Sequence, residues 1–244
     1  MTKESNGAGP EQDAERLVLG IDTCGPSGSV ALARLQGDGV ELLGQIELAG
    51  KSYSATLVSA VGELLSRSQK HMNLLDAMVV TSGPGSFTGV RVGLSAAKGL
   101  AEPAGIAVVA VSRLATLAQK AGVDAAALDA HRQEIFVRLI GDGGATSREF
   151  LAGQKELEAM APPEKIAACD EAAEELLKAV WPGTELMRVS APMAADAIEL
   201  AAGHIWAREF ADLALLDGHY LRRSDAEIFG VQGHATGQAR ASGA

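Results

Sequence analysis

The chain has 244 residues, with 31 acidic residues against 21 Lys and Arg, so its formal charge is −10. This length suits one large domain or two small ones, and the hydrophobic content of 47% is typical of a folded globular protein. The negative charge argues against an autonomous nucleic-acid-binding protein, because contacts from Lys and Arg to phosphate supply most of the affinity in that class.

Cysteine usage and hydropathy limit the cellular setting. The two cysteines, Cys24 and Cys169, lie far apart and outside any CxxC spacing, which argues against a disulfide framework and a zinc ribbon. No apolar run reaches the roughly 18 residues of a membrane span, and the polar start of the chain lacks the apolar region of a signal peptide. We therefore expect a cytoplasmic protein without membrane contact.

The first half of the chain predicts one α/β lobe over residues 17–112. Short apolar or alternating runs separated by turn residues indicate strands, and apolar residues at helical spacing indicate helices. The expected order is three strands in a meander, followed by alternating helices and strands, at 17–22, 29–35, 40–48, 53–67, 76–82, 88–101 and 106–112. Such an order predicts a mixed sheet with helices packed on it.

The pattern starts again in the second half, which predicts a smaller lobe over residues 113–232. A helix is followed by paired strands at AAALDA and EIFVRLI, a strand at 165–170 and two further helices. Residues 141–164, which contain two prolines, are expected to be irregular. Residues 1–16 and 233–244 are rich in small and polar residues without periodicity, which predicts disordered tails.

A turn after the first predicted strand has the composition of a phosphate-binding hairpin. Asp22, Thr23 and Ser27 stand in a turn rich in Ser, Thr and Gly, where backbone N–H groups can face phosphate oxygens and the carboxylate can hold Mg²⁺. The same residues also suit a tight hairpin with a capping carboxylate and no ligand. Both interpretations stay open at this point.

The loop GPGSFTG, residues 83–89, joins a predicted strand to a predicted helix. Gly83 and Gly85 permit backbone angles that other residues avoid, and Ser86 can cap the helix. A glycine-rich loop before a helix N-terminus is a candidate anion site. The loop lacks the GK[ST] ending of a Walker A motif and the GxSxG spacing of a nucleophile elbow, so catalysis is not predicted here.

Other residue patterns select no catalytic centre. The five histidines form no HxxxH or HExxH pair, so no metal site is predicted, and no spacing selects a Ser/His/Asp triad. DAHRQEIF and GHYLRRSDAE are polar clusters, in which Arg132, Arg222 and Arg223 suit either a bound anion or ordinary surface ion pairs.

The predicted helix at 88–101 is rich in glycine and alanine. Interior glycines cost a helix roughly 0.5 to 1 kcal/mol each relative to Ala, and close approach of another helix commonly offsets that cost. A second helix is therefore expected to pack against this surface. The local sequence does not determine whether that helix belongs to this chain or to another.

Four segments carry a resemblance to a known family: LGIDTCGPSGSVAL, VVTSGPGSFTGVRVGLSAAKGLA, ALDAHRQEIFVRL and GHYLRR. Together they closely resemble the TsaB family, accessory subunits of the bacterial machinery that makes threonylcarbamoyladenosine in tRNA. The similarity spans about residues 17–229. It implies an α/β fold of the actin-like, sugar-kinase-like ATPase class, with two lobes of which the second is reduced.

The resemblance further implies a non-catalytic scaffold. Its expected partners are a TsaD-type catalytic subunit and a TsaE-type ATPase, with a homodimer when alone and tRNA contacted only indirectly. TsaD-type subunits carry an HxxxH metal pair on a first-lobe helix, and the equivalent stretch KSYSATLVSAV has no histidine. We therefore expect no metal and no required cofactor, with ATP and Mg²⁺ only at the level of the complex. The hairpin and loop would be a vestigial nucleotide site formed by Asp22, Thr23, Ser27, Gly83, Gly85 and Ser86.

The partner surface is expected on the first-lobe helices at 53–67 and 88–101. Two helices from each subunit would form an apolar four-helix interface, and the residues expected to face the partner are Leu57, Val61, Leu64, Val90, Leu94 and Ala97. Two alternative functions remain open. One is an active ATPase or small-molecule kinase that uses Asp22, and the other, less favoured, is a glycoprotease-type peptidase.

Overall fold

The computed structural model describes residues 14–50, 52–140 and 147–222. The first half contains five strands and three α-helices, in the order β1 (Glu15–Asp22), β2 (Gly28–Gln36), β3 (Gly39–Leu48), α1 (Tyr53–Arg67), β4 (Ala77–Thr81), α2 (Phe87–Ala104), β5 (Ala107–Val111) and α3 (Arg113–Ala121). The second half continues with β6 (Ala126–Asp129), β7 (Glu134–Ile140), β8 (Ser147–Gly153), α4 (Gln154–Glu158), β9 (Lys165–Ala168), α5 (Glu171–Val180), β10 (Glu185–Arg188) and α6 (Ala194–Trp206).

Two mixed five-stranded sheets share one topology. The strand order is β3-β2-β1-β4-β5 in the first sheet and β8-β7-β6-β9-β10 in the second. In each, the first strand is central, with two antiparallel pairings leading outward on one side and two parallel pairings on the other. The predicted actin-like α/β fold with two lobes is confirmed, and the structure reveals a duplication that no sequence repeat indicates.

Each half of the chain ends in a helix that packs on the sheet of the other half. Helix α3 buries Leu114 and Leu117 against the second sheet, whereas α6 buries Ala197 and Ile198 against the first. Helices α1 and α2 cover the opposite face of the first sheet, and α4 and α5 cover that of the second. The two lobes are therefore joined by exchanged helices, although α6 falls within the predicted second lobe at 113–232.

The structure corrects several predicted boundaries. Strand β1 begins at Glu15, so Glu15 and Arg16 belong to the sheet and not to the predicted tail at 1–16. The prediction of an irregular segment at 141–164 is wrong, because β8 and α4 lie within it. Strand β10 was not predicted at all. The rest of the tail predictions, residues 1–13 and 233–244, lie outside the described residues.

Both errors in the second sheet have the same physical cause. Strands β8 and β10 are its two edge strands. Ala152 is the only buried residue in either strand, so neither shows the alternating apolar pattern that identifies a strand in sequence. None of the described helices is long and apolar enough to cross a membrane.

Candidate functional site

The hairpin after β1 and the loop at 83–89 meet in the structure. The Ser86 backbone N–H donates to the Cys24 carbonyl at 2.8 Å, and the Thr23 hydroxyl donates to the Gly89 carbonyl at 2.6 Å. A Cβ added at Gly85 or Gly89 would clash with a hairpin carbonyl, well inside the 3.0 Å that real Cβ atoms respect. The glycines of this loop therefore allow two backbones to pack together, and they do not form an open cradle.

The loop also starts α2. The Ser86 hydroxyl accepts from the Gly89 N–H, which caps the helix N-terminus. Gly83 has a positive φ of 116°, and the carbonyl of His219 packs where its side chain would be. Ser27 differs from the other predicted residues because it lies exposed at the tip of the hairpin.

Asp22 is buried and already has partners within the protein. One carboxylate oxygen accepts from the Cys24 N–H at 2.8 Å, and the other lies 3.6 Å from Nε of Arg113, the first residue of α3. The side chains of Asp22 and Arg113 are 3% and 7% exposed. Because a guanidinium carries the positive charge that Asp22 needs, the carboxylate is neutralised without an external cation.

Burial has the largest influence on the pKa values of Asp22 and Cys24 in this hairpin. It raises the pKa of Asp22, while the positive charge of Arg113 and hydrogen bonds from Cys24 act in the opposite direction. Burial raises the pKa of the Cys24 thiol well above its ordinary value, and the charge of Asp22 raises it further. A thiol that stays protonated is a poor nucleophile, so Cys24 packs as a small core residue.

A metal-bound nucleotide, which the actin-like fold implies at this hairpin, does not fit these residues. Asp22 faces the Arg113 guanidinium where a cation would bind, and Thr23 is buried with its hydroxyl used by Gly89. Within the described ranges, no three or more His, Cys, Asp or Glu side chains form a group suited to a metal ion.

The six side chains predicted to face a partner are buried in the core of the first lobe. They pack on their own sheet and are at most 5% exposed: Leu57, Val61, Leu64, Val90, Leu94 and Ala97. This corrects the positions predicted for the partner surface. The helical periodicity identified the apolar face of each helix, but that face is the one that the sheet requires.

The outward faces of α1 and α2 form a groove with apolar walls. Its volume is about 590 Å³, and the residues that line it include Val58, Phe87, Arg91, Val92 and Ala96. Val58 is 58% exposed and Phe87 is 40% exposed. These two side chains leave apolar surface exposed on the outer side of the two helices.

An aromatic and cationic cluster closes one end of the groove. The Arg91 guanidinium lies 3.8 Å from the centre of the Phe87 ring, and its Nε donates to the Tyr220 hydroxyl at 3.3 Å. The rings of Phe87 and Tyr220 are 5.1 Å apart. Tyr220 is contributed by residues 211–222, which we call the C-terminal strap. Two backbone hydrogen bonds, from Ala211 to β5 and from His219 to Ser82, hold the strap on the first lobe.

A partly buried polar cluster ties the strap to the second lobe. Glu149 on β8 accepts from Ser112, from Arg138 at 2.9 Å and from His219 at 2.8 Å. Burial alone would raise the pKa of Glu149, but the hydrogen bonds from His219, Ser112 and Arg138 outweigh it and lower that pKa. Glu149 therefore holds the strap as a charged acceptor.

The polar clusters noted in sequence form ion pairs. Asp129, which ends β6 as Asp22 ends β1, contacts His131 through its carboxylate. The turn that follows is strained, because His131 and its next two neighbours all have positive φ. Arg222 pairs with Glu134, and Arg223 lies outside the described residues.

Sequence reasoning missed Arg113, which the structure places against Asp22. One weak signal was available, because a positive charge at the first residue of a helix opposes the helix dipole and is more favourable beside a negative group. It also missed Val58 and Arg91, because the outward face of α1 and α2 shows no apolar periodicity of its own.

Comparisons with known proteins match the chain to proteins of tRNA threonylcarbamoyladenosine synthesis. A family model described as "TsaD: tRNA N6-adenosine threonylcarbamoyltransferase" matches residues 45–227. The TsaB protein of Haemophilus influenzae is 35% identical over 125 residues, covering 49% of this chain and 51% of its own length. That of Escherichia coli is 35% identical over 125 residues, covering 49% and 52%. The matches thus span about half the length of these curated relatives.

Longer similarities extend over most of the chain. An uncharacterized protein of Mycobacterium tuberculosis is 30% identical over 215 residues, covering 88% of this chain and 95% of its own. The solved structure of YeaZ from Pseudomonas aeruginosa superimposes with a TM-score of 0.65 at 25% identity. It covers 84% of this chain and 100% of that one.

Proposed function

The chain belongs to the TsaB (YeaZ) family, and from that premise we propose that it is an accessory subunit of tRNA threonylcarbamoyladenosine synthesis. In this proposal it is a non-catalytic scaffold in the complex that forms N6-threonylcarbamoyladenosine beside the anticodon of ANN-decoding tRNAs. A TsaD-type catalytic subunit binds it directly, and a TsaE-type ATPase joins the pair in the cytoplasm. The tRNA is contacted mainly by the partners, which suits a chain with a net charge of −10.

The groove on the outer face of α1 and α2 is the observation that carries this proposal. Its exposed apolar side chains, above all Val58 and Phe87, gain by leaving water when helices of a partner pack into it. Small residues on α2, such as Ala96 and the exposed Gly99, let a partner helix approach closely. The four-helix interface predicted from sequence is thereby kept, with the outward side chains in place of the buried ones.

Arg91 supplies the polar contact of the proposed interface. Its guanidinium is held over Phe87 and against Tyr220, so little side-chain entropy is lost when a partner carboxylate binds it. Tyr and Arg are also the residue types that dominate interface energetics. When the subunit is alone, a second copy of the chain is proposed to cover the same face as a homodimer.

The hairpin supports a scaffold over an ATPase or kinase. Asp22, the residue that would bind Mg²⁺ in those activities, is paired with Arg113 inside the protein. The scaffold proposal needs no cofactor on this chain and leaves ATP and Mg²⁺ to the complex.

Mixing the full chain with its cognate TsaD-type subunit tests the proposal. Size-exclusion chromatography with light scattering should show a heterodimer that replaces any homodimer. Val58→Asp and Ala96→Asp should abolish it while circular dichroism stays unchanged. Leu42→Asp is the matched control, because Leu42 is half exposed on β3 and is not one of the residues that line the groove.

Two outcomes would contradict the proposal. A heterodimer that survives both groove variants would place the interface elsewhere, and no association at micromolar concentration would remove the scaffold role. In a reconstituted modification reaction, omission of the chain should stop product formation. Turnover of ATP or substrate by the isolated chain would contradict its non-catalytic character.

A further inference from the structure

The hairpin encloses the guanidinium of Arg113. Nη2 of this arginine lies where a side chain on Gly25 would be, so the absence of a side chain at Gly25 makes room for it. Nε faces Asp22 at 3.6 Å and makes no hydrogen bond within the described residues. The Arg113 N–H also donates to the Gly83 carbonyl at 2.7 Å, which joins α3 to the loop before α2.

Burial of Arg113 at the start of α3 costs free energy of folding for two reasons. A buried guanidinium loses its hydration, and a cation at a helix N-terminus opposes the helix dipole. The charge of Asp22 offsets both costs, just as Arg113 offsets the burial of Asp22. Each group is therefore tolerated only because the other is present.

The same helix is tied to the first lobe at its other end. Lys120 of α3 pairs with Asp196 of α6 at 2.8 Å. Because α3 packs on the second sheet and α6 on the first, these two ion pairs connect the lobes at both ends of α3.

We propose that the Arg113 guanidinium permanently occupies the cation position of the hairpin. It lies beside Asp22, in the position that a metal-bound phosphate would need. The pair therefore connects the two lobes at a place where a ligand would otherwise bind. The hairpin then binds neither Mg²⁺ nor nucleotide, and the lobes do not close around a ligand there. This inference does not depend on the proposed scaffold role, since it concerns the isolated chain.

Titration of the full wild-type chain with MgCl₂ and ATP is the first test. Calorimetry should show no saturable binding at millimolar concentration. Saturable binding that Asp22→Asn abolishes would overturn the proposal without any need for an Arg113 variant.

Chemical rescue is the second test. Arg113→Ala leaves a buried, unpaired carboxylate, so its melting temperature should fall by about 10 °C. Millimolar guanidinium should recover more than half of that loss, whereas NaCl of equal ionic strength should not. Wild type and Arg67→Ala, which removes an exposed arginine, should not respond to guanidinium. A folded Arg113→Ala chain that responds equally to both salts would overturn the proposal.

A double variant covers the case in which Arg113→Ala does not fold. Arg113→Gln keeps a polar side chain at this position but not its charge, and adding Asp22→Asn removes the unpaired carboxylate. The double variant should melt at a higher temperature than Arg113→Gln alone. An unchanged melting temperature would show that charge pairing between Asp22 and Arg113 does not stabilise the hairpin.

Discussion

The hairpin at Asp22 and the groove between α1 and α2 lie on the same lobe and have opposite properties. The hairpin is polar but closed, because Asp22 pairs with Arg113 and glycine residues bring two backbones together. The groove is apolar but open, because Val58 and Phe87 face outward on neighbouring helices. Residue types associated with ligand chemistry are therefore used for structure, and ordinary apolar residues remain available for binding.

This contrast shows why composition alone misleads at both places. A Gly- and Asp-rich turn attracts a functional interpretation, yet each polar group can be satisfied internally. An amphipathic helix attracts a core interpretation, yet what matters for a partner is the residue on the opposite face. The structure separates the two cases by exposure and by the partner of each polar atom.

Adding one methyl group where the hairpin packs against α2 should have the largest effect on the free energy of unfolding. Gly89→Ala places a Cβ against the Thr23 carbonyl, which neither backbone can avoid, so the free energy of unfolding should fall by about 3 kcal/mol or more. Gly99→Ala is the control on the same helix, because nothing lies near its added Cβ, and it should stabilise the chain by about 0.5–1 kcal/mol. Urea denaturation measures both. Equal effects of the two substitutions would mean that the close packing of the hairpin is not real.

Two adjacent residues on α1 divide stability from binding. Leu57→Ala removes a side chain that is 1% exposed, and the free energy of unfolding should fall by about 2–5 kcal/mol. Val58→Ala removes one that is 58% exposed, so unfolding should change by less than about 0.5 kcal/mol. Val58→Ala should instead weaken the heterodimer by about tenfold, as measured by calorimetry with the TsaD-type subunit. Unchanged heterodimer affinity in Val58→Ala would show that the groove is not part of the interface with the TsaD-type subunit.

The sequence predicts the fold well where burial is periodic. Strands β1 to β5 and helices α1 and α2 are found within a few residues of their predicted bounds, because each has one face on a large core. Strands β8 and β10 escape prediction because Ala152 is the only buried residue in either of them. The exchange of α3 and α6 between the lobes could not be predicted, since it depends on contacts between distant parts of the chain.

The site was predictable only in part. The meeting of the hairpin with the loop at 83–89 follows from their position at the same end of adjacent parallel strands, β1 and β4. The pairing of Asp22 with Arg113 is less direct, because Arg113 follows β5, which is separated from β1 by β4 in the sheet. The direction of Leu57 and its five companions was also undetermined, since periodicity defines an apolar face but not what covers it.

A pH profile extends the comparison to the polar cluster that anchors the strap. The pKa of Glu149 is lowered from its ordinary value of 4.5, so its stabilising effect is present above that value and is lost as the pH falls through the lowered pKa. Glu149→Gln should therefore be less stable than wild type at pH 7 by about 1–2 kcal/mol. That difference should shrink at a pH well below 4.5, where both side chains are neutral. Urea denaturation at the two pH values measures it, with Glu47→Gln on the exposed face of β3 as control. A difference independent of pH would mean that the charge of Glu149 does not hold the strap.

The smallest expected effect lies at the end of the groove that the aromatic and cationic cluster closes. Tyr220→Phe keeps the ring against Phe87 but removes the hydroxyl that accepts from Arg91, so unfolding should change by only about 0.5 kcal/mol. The freed guanidinium then has more rotamers, and the affinity for the TsaD-type subunit should fall by about threefold, since ordering one such side chain costs about 0.5–1.5 kcal/mol. Tyr220→Ala should lower that affinity further, because the ring contact is lost as well. Equal affinities in wild type and both variants would show that the strap contributes nothing to the partner surface, which would then consist of α1 and α2 alone.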